Sequence, residues 1–151
     1  MTGSGTPESP YIITTVDELQ SINDDLTAYY ELGNDIDASA TSGWNAGAGF
    51  EPIGTNSDKF TGSFDGNKCV ISNLSINRPE EDGVGLFGVC GGGSVVKRVG
   101  IESANIIGGR YVGALVGHCA GDVDINESYS TGFVAGDSYV GGLVGYDGIF
   151  E

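Results

Sequence analysis

The chain has 151 residues, 39% of them hydrophobic, enough for one domain with a buried core of its own. Its 21 Asp and Glu residues against 6 Lys and Arg leave a net charge of −15, which opposes binding to nucleic-acid phosphates or anionic lipid surfaces. No run of about 18 apolar residues is available to span a bilayer, and Met1 is followed by Thr2-Gly3-Ser4-Gly5 rather than by a basic and then apolar leader.

Tyr11-Ile12-Ile13 reads as a strand, and Thr15-Val16-Asp17-Glu18 fits a capping box with Thr15 as N-cap and Glu18 at the third helical position. The helix is predicted to run to about Leu26, with Val16, Leu19, Ile22 and Leu26 as its apolar stripe, and to lie as a lid over the open end of the β-rich remainder of the chain. Tyr29 to Leu32 is a second strand and Asp35-Ile36-Asp37 a third. Residues 38 to 49, small and Gly-rich, form a surface excursion carrying the sole tryptophan, Trp44. That ring is either a platform for a sugar or a cover folded back on the core. Phe60, Gly62 and Phe64 alternate onto one side of a strand that turns at Asp65-Gly66, and Val70 to Ile76 contains a corner.

From Gly85 onward the chain repeats itself. Tyr111-Val-Gly-Ala-Leu-Val-Gly117 returns as Tyr139-Val-Gly-Gly-Leu-Val-Gly145, so position 111 maps to position 139 with a period of 28 residues, and Gly85-Leu86-Phe87-Gly88 is a weaker earlier copy. Units of this size, β-rich and divided by many of the 27 glycines, predict an all-β solenoid of stacked coils with three faces each, because one unit buries its apolar face only against the next. Residues 1–83 are the capping region and first irregular coils, and 84–151 the regular repeats. The last repeat stops about ten residues in, which points to a fragment of a longer protein.

These motifs resemble the GLUG-motif repeat family, Gly-rich β-solenoid segments of large prokaryotic surface and secreted proteins, including adhesin-like proteins and non-catalytic regions of immunoglobulin-cleaving metallopeptidases. The likeness rests on Gly85-Leu86-Phe87-Gly88, the two Tyr-Val-Gly-x-Leu-Val-Gly segments, Asn126-Glu-Ser-Tyr-Ser-Thr-Gly132 between them, and upstream Pro52-Ile53-Gly54 and Phe60-x-Gly-x-Phe-Asp-Gly-Asn67. It implies a fold and a surface setting rather than an activity.

The chemistry points the same way. The single histidine, His118, rules out a His-x-x-x-His zinc pair, and no nucleophile elbow stands in a strand-to-helix context. Asp35 with Asp37, and Asp122 with Asp124, each share a strand face, but solvated charge explains them better than a hydrolase or calcium site. No catalytic residue, metal or cofactor is expected. Cys90 and Cys119 each follow the repeat glycine by two residues and so occupy equivalent places on adjacent coils, where a disulfide and two free buried thiols are equally compatible with the spacing. Asn73 and Asn126 fit glycosylation acceptors but lie inside strand-like runs.

The expected function is a non-catalytic adhesion or stalk segment, extracellular or at the cell surface, with a surface glycan or protein as ligand. Two alternatives stand beside it. One is a carbohydrate-binding or carbohydrate-cleaving β-helix using Trp44, Tyr111 and Tyr139; the other is a subunit that associates end to end with itself.

Overall fold

The computed structural model describes residues 1–148. The described chain is mostly β, built from short parallel strands whose neighbours in each sheet come from segments roughly one sequence period apart, and residues 149–151 of the expected final repeat lie outside the described residues.

The first sheet stacks Tyr11–Ile13, Tyr29–Leu32, Ser63–Asp65, Val95–Lys97 and Asp124–Asn126, all parallel. Its register places Tyr11, Tyr30, Phe64, Val96 and Ile125 in one column, so like side chains pile on like. The second sheet stacks Ile36–Asp37, Val70–Ser72, Gly100–Ile107 and Tyr129–Ala135, with Ser75–Asn77 also paired to the long third strand. Ile36, Ile71 and Ile101 form its inner column, each buried. A third sheet of Phe87–Gly91, Val116–Ala120 and Val144–Asp147 aligns Phe87, Val116 and Val144. Beside it the backbone of Leu86 bonds that of Ala114, and Leu115 that of Leu143, so the leucines of the three repeat copies sit in neighbouring layers.

Between the second and third sheets the chain turns twice rather than once. Arg110–Val112 and Ser138–Val140 pair as a small fourth sheet, joined by a bridge from Val84 to Val112, so a full layer presents four strand directions and not the three expected. The extra corner falls where Tyr111 and Tyr139 take left-handed backbone angles, φ +60° and +54°. Each is the middle residue of its short strand, so the chain bends within the strand while the residues on either side stay paired.

The expected N-terminal helix is present but shorter than its apolar stripe implied. Thr15 accepts from the Glu18 amide while the Glu18 carboxylate accepts from the Thr15 amide, completing the capping box, yet the α-helix covers only Val16–Gln20 and tightens into a 3-10 turn over Ser21–Asp24. The tightening has a use. Gln20 donates to the Glu51 carbonyl and accepts from the Glu51 amide, while Asn23 donates to the Pro52 carbonyl and accepts from the Gly54 amide. The two side-chain amides thus act as a surrogate strand along 51–54, whose Ile53 bridges to Phe87. Backbone groups that would otherwise form an open sheet edge are satisfied.

At the corner after the first sheet, Arg98 clasps Asp65 through Nε and Nη2, and Asp65 also accepts from the Asn67 amide. Burial raises the Asp65 carboxyl, but these bonds outweigh it and hold the group below its ordinary value. The last described layer is paired on one side only, and Tyr129, Phe133, Tyr139 and Val140 there are 47%, 58%, 52% and 43% exposed.

Candidate functional site

Of the side chains expected to bind a ligand, two come together. Tyr111 and Tyr139 occupy the same corner of successive layers and stack with ring centroids 5.1 Å apart and planes 19° from parallel. Trp44 is elsewhere: it lies in extended conformation, φ −76° and ψ 151°, at the kink that interrupts the helical turns of Ser39–Gly47, half-buried, with its indole stacked on Phe50 at 6.3 Å. Its ring packs against the buried core there.

Two further rings join the tyrosine pair. His118 and Tyr146 are register partners on the third sheet, and both reach the stack, His118 at 5.3 Å from Tyr111 and Tyr146 at 5.0 Å from Tyr139. His118 is buried and its Nε2 lies 2.8 Å from the Gly148 carbonyl oxygen. Offset and edge-on ring pairs of this kind add about 0.5–1.5 kcal/mol each beyond area burial, which helps to offset the unfavourable backbone angles of the two tyrosines.

Among the described residues, the preceding layer carries no ring at the equivalent places. One layer before Tyr111 the equivalent residue is Gly83, since Val84 bridges to Val112 and the Val84 amide donates to the Tyr111 carbonyl. One layer before His118 the partner is Val89. Among the described residues, Asn56, Asp82, Gly83, Val89, Arg110, Tyr111 and His118 line a cleft of about 300 Å³ at this corner. On its rim Arg110 donates from Nε and Nη2 to Asp82 Oδ2, its backbone amide donates to Asp82 Oδ1, and its guanidinium carbon lies 5.6 Å from the Tyr111 ring centroid. Arg110 is held in its charged form chiefly by that hydrogen bond to Asp82.

His118, Tyr146, Asp82 and Arg110 were not singled out from the sequence, although the 28-residue period carries a usable signal: 118 maps to 146 and 82 to 110. Among the described residues no group of three or more His, Cys, Asp or Glu could hold a metal ion, and no helix is long and apolar enough to cross a membrane.

Cys90 and Cys119 are register partners, as their spacing implied, but they are free thiols, as is Cys69. In parallel, in-register strands the two Cα–Cβ bonds run side by side, and the roughly 90° torsion a disulfide needs would push one sulfur out of the packed layer. Burial drives the Cys90 thiol well above its usual value and the Cys119 thiol up to about 11, the latter with help from Asp147. Since the thiolate is the reactive form, a thiol-disulfide exchange reagent at neutral pH is expected to titrate Cys69 first and to reach Cys90 and Cys119 only on unfolding. Rapid reaction of all three in the native protein would contradict this packing.

No family model matches the chain. It is 45% identical over 148 residues to halomucin of Haloquadratum walsbyi, covering 95% of this chain and 2% of that protein. It is 35% identical over 127 residues to a protein of Evansella cellulosilytica named as a Gly-rich membrane protein, covering 81% of this chain and 15% of that one. The chain therefore spans only a small part of the curated relatives it matches. Among solved structures, a crystal structure from Bacteroides ovatus, titled as an immunoglobulin A1 protease, superimposes with TM-score 0.59 at 18% identity, over 96% of this chain and 64% of that one. That likeness concerns the fold alone.

Proposed function

We propose that this chain is a β-solenoid segment of the GLUG-repeat type, a non-catalytic adhesion or stalk module within a larger extracellular or cell-surface protein. The observation that carries the reading is the layer-on-layer register of its side-chain columns, Ile36 over Ile71 over Ile101 and Phe87 over Val116 over Val144. A stack of this kind distributes axial load over many parallel backbone bonds and offers a repetitive outer face for contacts, with residues 1–83 as its cap and first coils and the regular repeats after them. The names of the two relatives, a halomucin and a membrane protein, support a place at or beyond the cell surface. The surplus of acidic side chains would keep such a surface hydrated.

Labelling of intact cells of the source organism with an antibody raised against the chain tests the reading. Labelling without permeabilisation is the expected result. Labelling that appears only after the envelope is opened would overturn it.

A further inference from the structure

We propose that Asn73 carries an N-linked glycan, an inference that rests on the reading of the chain as an extracellular or cell-surface module. The acceptor motif is Asn73-Leu74-Ser75. Expected inside a strand-like run, Asn73 stands instead at the corner between Val70–Ser72 and Ser75–Asn77, outside both strands, and it is exposed. Its φ of +60° is a left-handed angle that asparagine tolerates better than most residues. Asn73 Nδ2 donates to Asp37 Oδ1 at 3.3 Å, which uses one of the amide's two hydrogens. The other is the one a sugar replaces, so the product keeps the bond to Asp37.

The corner has room for that product. Asp37 is itself exposed, and the neighbouring residues in the layers on either side, Ser39 and Ser103, are small and exposed. Ser39 lies there because its amide donates to the same Asp37 oxygen, and Ser103 because it follows Glu102, whose carbonyl accepts from the Asn73 amide. A glycan on Asn73 therefore projects away from the stack and displaces no core side chain. The second acceptor motif, Asn126-Glu127-Ser128, is different. Asn126 is half-buried within the strand Asp124–Asn126, its Nδ2 donates to Asp124 Oδ1, and the Ser128 hydroxyl donates to the Asn126 carbonyl. A sugar there would lie against the sheet face, beside Asp124 and the register partner Lys97.

Packing at Asn73 also sets the order of events. Leu74 is fully buried, and the Asn73 and Ser75 amides donate to the Glu102 carbonyl and to Thr41 Oγ1. The tripeptide can thus be read only before this corner closes, by a transferase acting on the chain during export. The donor is an oligosaccharide carried on a lipid phosphate. The sugar C1–O bond to the carrier breaks, a bond from C1 to Asn73 Nδ2 forms, the amide proton passes to a base of the transferase, and the carrier leaves with its phosphate.

The test is mass spectrometry of peptides from the protein isolated from its own organism, with the cell-surface fraction and the cell interior collected separately. An oligosaccharide on the peptide containing Asn73, and none on the peptide containing Asn126, is the expected result in the surface fraction. Ser75→Ala, which leaves Asn73 in place, should abolish the modification, and Ser75→Thr, which preserves the motif, should retain it. Surface-located protein with Asn73 unmodified would overturn the glycan while leaving the surface reading standing. Protein confined to the interior and unmodified would overturn both. A sugar on Asn126 but not on Asn73, or a modification of Asn73 that survives Ser75→Ala, would also overturn the proposal.

Discussion

Replacing Phe87 with alanine is expected to lower the stability of the chain by about 3–5 kcal/mol, the range for a large aromatic removed from a core that cannot collapse around the gap. Phe87 is fully buried where the first and third sheets meet, with Phe60 at 4.8 Å and Phe64 at 5.3 Å between ring centroids. Its backbone is bonded to the layers on both sides, through Ile53 and through Leu115 and Val116, so neighbouring strands are not free to close on the space left behind. Urea denaturation compared with Val140→Ala measures the effect. Val140 is 43% exposed and its truncation should stay within about 0.5 kcal/mol. Equal losses for the two variants would mean that the interior is not packed as described.

An equally large loss is expected for Gly117→Val, about 3 kcal/mol or more, and here the obstacle is backbone rather than missing contact. A side chain at Gly117 would place its Cβ 2.5 Å from the Val84 amide nitrogen and 2.6 Å from the Tyr111 carbonyl oxygen. The equivalent position in the next layer, Gly145, would meet the Val112 amide nitrogen at 2.5 Å, and Gly88 in the preceding one the Gly54 carbonyl oxygen at 2.5 Å. The closing glycine of each Leu-x-Gly motif is therefore a place where two stretches of chain touch, and the register of the stack depends on that approach. Gly142→Ala is the matched control. Among the described residues nothing lies within 4 Å of a Cβ built there, and the earlier repeat already carries Ala114 at that place. Thermal unfolding of both variants checks the pair: a substantial drop in Tm is expected for Gly117→Val and little change for Gly142→Ala.

Much of the architecture was legible in the amino acids. Local rules sufficed for the Thr15 to Glu18 capping box and for a corner after Val70–Ser72, where Asn73 takes φ +60° before Ser75–Asn77, but not for Phe60 and Phe64: both are buried, yet the strand expected to carry them covers only Ser63–Asp65, and Phe60 bridges instead to Cys90 of the third sheet. The 28-residue period placed Tyr111 beside Tyr139, and the shared offset of two residues from the repeat glycines Gly88 and Gly117 placed Cys90 beside Cys119. Where period and alternation fell short, the cause was a feature with no repeat to align. The helix ended early because the side chains of Gln20 and Asn23 are used against 51–54, a segment about 30 residues away with no motif linking them.

What the residue order determined by itself was the β class, the period and which side chains face inward, because these come from the two-residue alternation of a strand and the recurrence of glycine. What only the tertiary structure decided was the cleft. A hollow arises from a difference between aligned layers, glycine and valine where the next layer has tyrosine and histidine, and a difference of that kind has no physical meaning until the layers are stacked 83 against 111 and 89 against 118.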